Sequence, residues 1–231
     1  MIENDAGLKG SNIRLGTYGV IKGAKLYGVA VGKKGNMDLE DFGYIFESLI
    51  LYATFLGLGT CWLGGTFKKG EFSKVIGQNN DEILPCITPL GFPARRKSIL
   101  ESAMRFSAGS SKRKDWGELF FQNDFQQDLP CAAAEKYRIP LEMVRLAPSA
   151  SNKQPWRIVK DQTRYHFYLK HTVGYAKYLA FDLQRVDLGI AMAHFEYSAK
   201  ELGYVGKWAI RPPEEIDIPP HAEYIVSWDE Q

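Results

Sequence analysis

The sequence predicts an α+β protein built as two similar halves about a pseudo-two-fold axis. Two observations predict it. Asp41-Phe42-Gly43 opens a run that carries Ala53, Gly57 and Trp62, and Asp187-Leu188-Gly189 opens a second run that carries Ala199, Gly203 and Trp208. Each matched pair lies 146 positions apart (187 minus 41, 208 minus 62) with no gap, and that is the mark of an internal duplication. In addition, both runs show apolar residues at helical spacing, and each is flanked by short stretches that read as strands.

The elements follow in order. Residues 24–31 alternate as a strand, and a helix is expected over 38–57, with Ile45, Leu49, Tyr52, Ala53 and Leu56 at apolar spacing. Residues 48–67 carry no charge and are long enough to span a bilayer. They hold Gly57, Gly59, Gly64 and Gly65, however, and Lys68-Lys69 follow, so the stretch reads as a buried helix ending in a glycine loop. A short helix over 71–76 and a strand over 86–92 complete the first half. Polar and basic residues over 94–114 suit a segment crossing between halves. In the second half Pro140 suits a helix N1 position, ahead of Leu141, Val144 and Arg145. Residues 156–160 and 164–170 read as a hairpin, 182–203 as the second central helix with Ile190, Ala193, Phe195, Tyr197 and Leu202, and 223–228 as the last strand. Gly43 and Gly189 are small enough to let another helix approach closely.

Composition narrows the function. The 231 residues are 45% hydrophobic and 13% aromatic, as expected of a globular chain with a well-filled core. A net charge of +2 is too mild to imply nucleic acid or an anionic membrane as partner. Three cysteines, Cys61, Cys86 and Cys131, have no metal-ligand spacing and fit a reducing, cytoplasmic setting. The first residues lack the basic and apolar regions of a signal peptide.

Three segments are candidates for chemistry. Pro148 and Pro155 bracket Ser149-Ala150-Ser151-Asn152-Lys153-Gln154, a polar loop between a helix and a strand that suits a flat ligand with several acceptors, although Asn152 and Gln154 could equally satisfy local backbone groups. Gly57-Leu58-Gly59-Thr60-Cys61-Trp62-Leu63-Gly64-Gly65 follows the first central helix. One glycine there suffices to cap a helix, and the second pair lets backbone amides approach a ligand. Ser110-Ser111-Lys112-Arg113-Lys114 suits either a phosphate or a solvated linker.

These segments, with Pro89-Leu90-Gly91-Phe92-Pro93, resemble the nitroreductase family, whose members bind FMN. The glycine segment is similar to that family's C-terminal half and the Pro148–Trp156 loop to its N-terminal half, here in reverse order on one chain. That resembles the nitroreductases in which two degenerate halves form a pseudo-dimer. The resemblance implies a three-layer α-β-α fold, with halves at about 1–105 and 106–231 in one compact unit and an N-terminal element that is short or missing. It implies that Ser149, Ala150, Asn152 and Gln154 line the flavin from one side. Trp62, Leu63, Gly64 and Gly65 would pass along the isoalloxazine, and Lys112 and Arg113 would contact the phosphate. Tyr204-Val205-Gly206-Lys207-Trp208 replaces the glycine loop in the second half, so one FMN per chain is expected. Only Lys9 and Arg14 are basic over 1–19, where the family carries an Arg-Ser-x-Arg-type phosphate grip. The implied activity is hydride transfer from NAD(P)H through FMN to a nitroaromatic, quinone or similar small molecule, in a monomer or homodimer. The alternative is a degenerate relative that binds flavin, or another small ligand, without turnover.

Other reactive residues read as structural. Cys61 has no histidine near it in sequence, His166 and His171 have the wrong spacing to share a metal on one strand face, and His194 suits the core or the interface between halves. Glu47 and Glu196 lie within the central helices rather than in a cleft, and neither a Ser-His-Asp order nor a phosphate loop is read.

Overall fold

The fold comes from a computed structural model, which describes residues 1–3, 15–93, 109–162 and 164–231. The expected boundary between halves at 105/106 falls outside the described residues, as do Lys9 and Arg14. The first half holds β1 (Ile2–Glu3), β2 (Leu26–Val29), β3 (Gly32–Lys33), α1 (Asp38–Phe55), α2 (Lys69–Ile76), β4 (Glu82–Ile83) and β5 (Ile87–Leu90). The second holds α3 (Trp116–Leu119), β6 (Phe120–Gln122), α4 (Arg138–Leu146), β7 (Trp156–Lys160), β8 (Arg164–Lys170), α5 (Leu183–Glu201), β9 (Gly206–Ala209) and β10 (Ala222–Glu230). The strands form an antiparallel sheet in order β1-β2-β5, a β3-β4 ribbon, and a five-stranded sheet in order β6-β7-β8-β10-β9. In the larger sheet only β6 and β7 run parallel. The chain is therefore α+β, as its sequence predicts.

Helices α1 and α5 cross at their glycines. A Cβ on Gly43 would lie 2.1 Å from the Val186 carbonyl oxygen, and one on Gly189 would lie 1.9 Å from that of Glu40. Glu40 and Val186 are themselves 146 positions apart (186 minus 40), so the two contacts are reciprocal at the same offset. The helices also end alike. The amides of Gly57 and Leu58 bond to the carbonyls of Thr54 and Ala53, and those of Gly203 and Tyr204 to Lys200 and Ala199. Gly57 (φ 76°) and Gly203 (φ 80°) supply the left-handed residue that this cap requires.

Side chains from α1, α4, α5 and the large sheet share one core. Phe42, Phe46 and Ile50 meet Leu141, Val144, Phe195, Trp156, Phe167 and Trp228 in it. A smaller cluster, with Tyr27, Leu63, Phe67, Phe72, Leu84 and Ile87, fills the first half's sheet.

Several expectations are corrected. The apolar stripe expected on α1 is largely the wrong one: Ile45, Tyr52 and Leu56 are 65%, 63% and 52% exposed, whereas Phe42, Phe46, Ile50 and Ala53 are buried. Helix α1 has two apolar stripes, and the one flanking Gly43 is buried because close approach at that glycine sets which face meets α5. Pro140 is the third residue of α4 rather than the first, still within the turn whose N–H groups lack intrahelical acceptors. The stretch read only as a missing glycine loop contains strand β9, where Gly206 lies flat against the Trp228 ring.

Candidate functional site

The Pro148–Trp156 loop carries backbone strain and is held by hydrogen bonds. Ala147 leaves α4 in an extended conformation (φ −55°, ψ 148°), as a residue before proline must. Ser151, Asn152 and Gln154 then adopt φ of 49°, 52° and 47°. Left-handed backbone is ordinary for Asn but not for Ser or Gln, and strain of this kind recurs at ligand sites. Within the loop, the Gln154 amide donates to Ser149 Oγ at 2.9 Å.

A knot with residues 109–114 holds that strain. Gln154, buried, accepts from the Lys114 amide at 2.8 Å and donates to both oxygens of Asn152. Asn152 Nδ2 donates to the carbonyls of Gly109 (2.8 Å) and Lys112 (2.9 Å). Arg113 donates to the carbonyl oxygens of Leu146, Ser110 and Lys112 and, at 3.4 Å, to Asn152 Oδ1. Burial and the neighbouring Arg145 depress its affinity for its proton. The structure thus brings Asn152 and Gln154 beside Lys112 and Arg113, but most of their polar groups are engaged with one another. Lys112 is exposed.

The glycine segment lies along β5, with bridges Gly59–Gly91 and Leu63–Ile87. The Trp62 indole donates to Glu47 Oε2 at 2.8 Å and meets the Phe46 ring edge-on. Leu63 pairs both backbone groups with Ile87 and turns its side chain into the smaller core. A Cβ on Gly64 would lie 2.7 Å from Leu183 Cδ1 and 3.3 Å from Cys86 Sγ, so a side chain there would require the Leu183 tip to shift. The Gly65 Cα faces Leu179. Among the described residues neither Gly64 nor Gly65 has a backbone acceptor for its amide.

Helix α5 meets both segments, the strip through Leu183 and the loop through Asp187, and sequence reasoning missed the role of Asp187. It stands one turn beyond Leu183 on α5, and its Oδ1 accepts the Ala150 amide at 2.8 Å. Its Oδ2 is buried and has no partner among the described residues. Burial pushes its carboxyl well above the usual range; the Ala150 bond opposes this and Asp182 adds to it. Burial likewise raises the Cys86 thiol, with Asp187 contributing. Tyr175, whose hydroxyl lies 3.1 Å from Ser151 Oγ, feels the same carboxyl. The match with Asp41 singles out this position in the sequence but gives no sign of its burial.

The residues set aside as structural are hydrogen-bonded. Glu47 holds Trp62 and, at 2.9 Å, His194 across the helix pair. Glu196 holds Trp208 (2.6 Å) and Tyr44 (2.8 Å), the same device in the other half. A Ser227–His166–Asp161 chain, not read from the sequence, is present with contacts of 2.7 and 2.9 Å. Ser227 and His166 are wholly buried, and Ser227 Oγ also contacts the Arg211 carbonyl and Tyr224, so the chain pins β8 to β10. Among the described residues no group of His, Cys, Asp and Glu could hold a metal, and no helix is long and apolar enough to cross a membrane. A cavity of about 400 Å³ lies elsewhere, lined by Met37, Asp41, Tyr44, Met192, Glu196 and Trp208 among others and by none of the ten expected site residues. The Tyr44 and Trp208 donors in its wall are taken up by Glu196, whereas Asp187 Oδ2 is buried without a partner among the described residues, so the Asp187 region is the better candidate.

The α+β fold thus brings a strained polar loop and a glycine strip against the first turns of one helix, α5. Residues 6–199 match the family described as "Putative TM nitroreductase", and the chain belongs to that family. A crystal structure described as that of a "putative nitroreductase" from Thermotoga maritima MSB8 is similar, with a TM-score of 0.55 and 22% identity over 90% of this chain and 71% of that one. At that identity the likeness shows the fold. No curated protein matches the chain.

Proposed function

We propose that this member of the nitroreductase family is an FMN-dependent oxidoreductase, with the cofactor between the Pro148–Trp156 loop and the Trp62–Gly65 strip. The observation that carries the reading is the meeting of these segments on the first turns of α5: Ala150 is bonded to Asp187, whose Oδ2 is buried without a partner among the described residues, and Gly64 packs on Leu183 one turn earlier. FMN, when bound, would supply hydride uptake from NAD(P)H and its return to a nitroaromatic, quinone or similar acceptor. The chain would contribute position and dipoles: the Gly64 and Gly65 amides as donors, the fixed Ala150 turn as a wall, and Lys112 as a phosphate partner. Trp62 and Leu63 would set the strip's path through Glu47 and Ile87. Ser149, Asn152 and Gln154 would hold the loop's shape, and Arg113 would tie it to α4.

The same reading makes residues 1–105 and 106–231 the halves of a pseudo-dimer, supported by the reciprocal glycine contacts and matched helix caps. It places the protein in the cytoplasm as a monomer or homodimer. The engagement of Arg113 with backbone carbonyls favours a second reading, a binder of flavin or another small ligand without turnover.

The test is the visible spectrum of the purified protein with and without added FMN, followed by steady-state oxidation of NADH and NADPH. A flavin spectrum with turnover is expected. Bound flavin without turnover would select the second reading, and failure to bind added FMN would overturn both flavin assignments.

A further inference from the structure

We infer that Asp187 is a proton-bearing positioning residue, fixing the Ala150 turn through Oδ1 and offering the Oδ2 hydroxyl as a donor to an uncharged acceptor on the edge of a planar ligand. The geometry divides the carboxyl between two tasks. Oδ1 is occupied by the Ala150 amide at 2.8 Å. Oδ2 is sealed from solvent and has no partner among the described residues, although buried polar atoms in folded proteins are nearly always paired. An ionised carboxylate can only accept, whereas the neutral acid also donates. Among the described residues, the titratable groups that couple electrostatically with Asp187 are Asp182 at the start of α5, the Cys86 thiol ahead of β5 and the Tyr175 hydroxyl, and none of these is positive. Burial therefore favours the neutral acid.

The ligand class follows from the donor. A neutral O–H selects a carbonyl oxygen or an unprotonated ring nitrogen, and it disfavours a ligand that presents an N–H at that point. The neighbouring surfaces suit a flat edge: Gly64 presents bare backbone where it packs on Leu183 and Cys86, and the left-handed Ser151 turns the loop beside Ala150. An isoalloxazine edge has both acceptor types, so the inference rests on the flavin reading while adding a specific contact to it. The contrast with Asp41 sharpens the point. Asp41 holds the same place 146 residues earlier, yet it is exposed at the rim of the 400 Å³ cavity, whereas Asp187 is 3% exposed.

The experiment compares wild type with Asp187→Asn and Asp187→Ala by infrared difference spectroscopy and by FMN titration followed through flavin fluorescence. The ligand-free wild type should show at neutral pH a protonated-carboxyl carbonyl band that Asp187→Asn lacks, and that band should shift when FMN is added. A residue that only fixes Ala150 would show no such shift. Asp187→Asn keeps both an acceptor and a donor and should bind FMN within a few-fold of wild type, as about one preserved hydrogen bond requires. Asp187→Ala should bind about tenfold more weakly, the loss of one such bond. The inference is overturned by a wild type without the band, by a band indifferent to bound FMN, or by Asp187→Ala binding FMN as wild type does. A wild type that keeps the band but binds no FMN overturns the flavin reading and leaves the proton-bearing assignment supported.

Discussion

A carboxyl that holds its proton more tightly in the fold than in the unfolded chain ties stability to pH, and Asp187 makes this measurable. In the unfolded chain an aspartate ionises near pH ~3.9. The folded value is raised, so between the two the folded state binds more protons and stability falls as pH rises. The contribution is complete below the unfolded value, is lost progressively as pH climbs to the folded one, and is constant above. Asp187→Asn cannot ionise, so its urea midpoint should gain on that of wild type as pH is raised from about 4 towards neutrality. Parallel midpoints across that window would show that Asp187 ionises normally. At this scale the sequence was partly legible. Pro148 and Pro155 marked the loop, and Asn152, Gln154, Lys112 and Arg113 marked its neighbourhood. Their mutual hydrogen bonds could not be read, because a polar side chain that serves a ligand and one that serves a backbone carbonyl have the same letter. Likewise nothing in the spacing distinguishes Asp187, sealed at a helix crossing, from exposed Asp41.

Glycine has two separable uses in the central helices, and substitution tells them apart. Gly43→Ala and Gly189→Ala place a methyl group within 2.1 and 1.9 Å of a carbonyl oxygen on the opposing helix. Backbone cannot swing aside as a side chain can, so each should destabilise by about 3 kcal/mol or more, the upper part of the overpacking range. Gly57→Ala meets nothing within 4 Å but must hold φ at 76°, which costs about 1 kcal/mol. Thermal or urea unfolding of the three variants should therefore rank both crossing glycines well above the cap glycine. Equal losses would mean that the helices separate freely at the crossing. Element by element, the strong signals were legible. The β7–β8 hairpin and helices α1, α2 and α5 lie where periodicity and glycine caps put them. Strands β1, β3, β4, β6 and β9, each of two to four residues, are too short to show a period, and tertiary pairing alone defines them. The stripe on α1 was misread for a related reason: on a helix apolar on two sides, periodicity cannot say which side is buried.

At the scale of the whole molecule, the repeat suggests two domains while the core argues for one folding unit. Phe42, Phe46 and Ile50 of the first half belong to the same cluster as Phe195, Trp156 and Trp228 of the second. Polar ties cross the same seam: Arg185 to Glu40 at 2.6 Å, His194 to Glu47, and Tyr44 to Glu196. Glu40 and Glu47 are 1% and 2% exposed, so separating the halves would bare carboxylates shaped for partners as well as apolar surface. Helix α5 is buried around most of its circumference and would be left with one side uncovered. Residues 106–231 expressed alone should therefore lack a cooperative thermal transition and should expose apolar surface to a dye such as ANS, despite holding the complete five-stranded sheet. Mixing with residues 1–105 should restore both the transition and exclusion of the dye, since the seam is formed by complementary surfaces rather than by the covalent link. A second half that melts cooperatively by itself, near the melting temperature of the intact chain, would instead mean that α1 and the first sheet are appended to an independent domain. The candidate site would then lie at an inter-domain contact free to open.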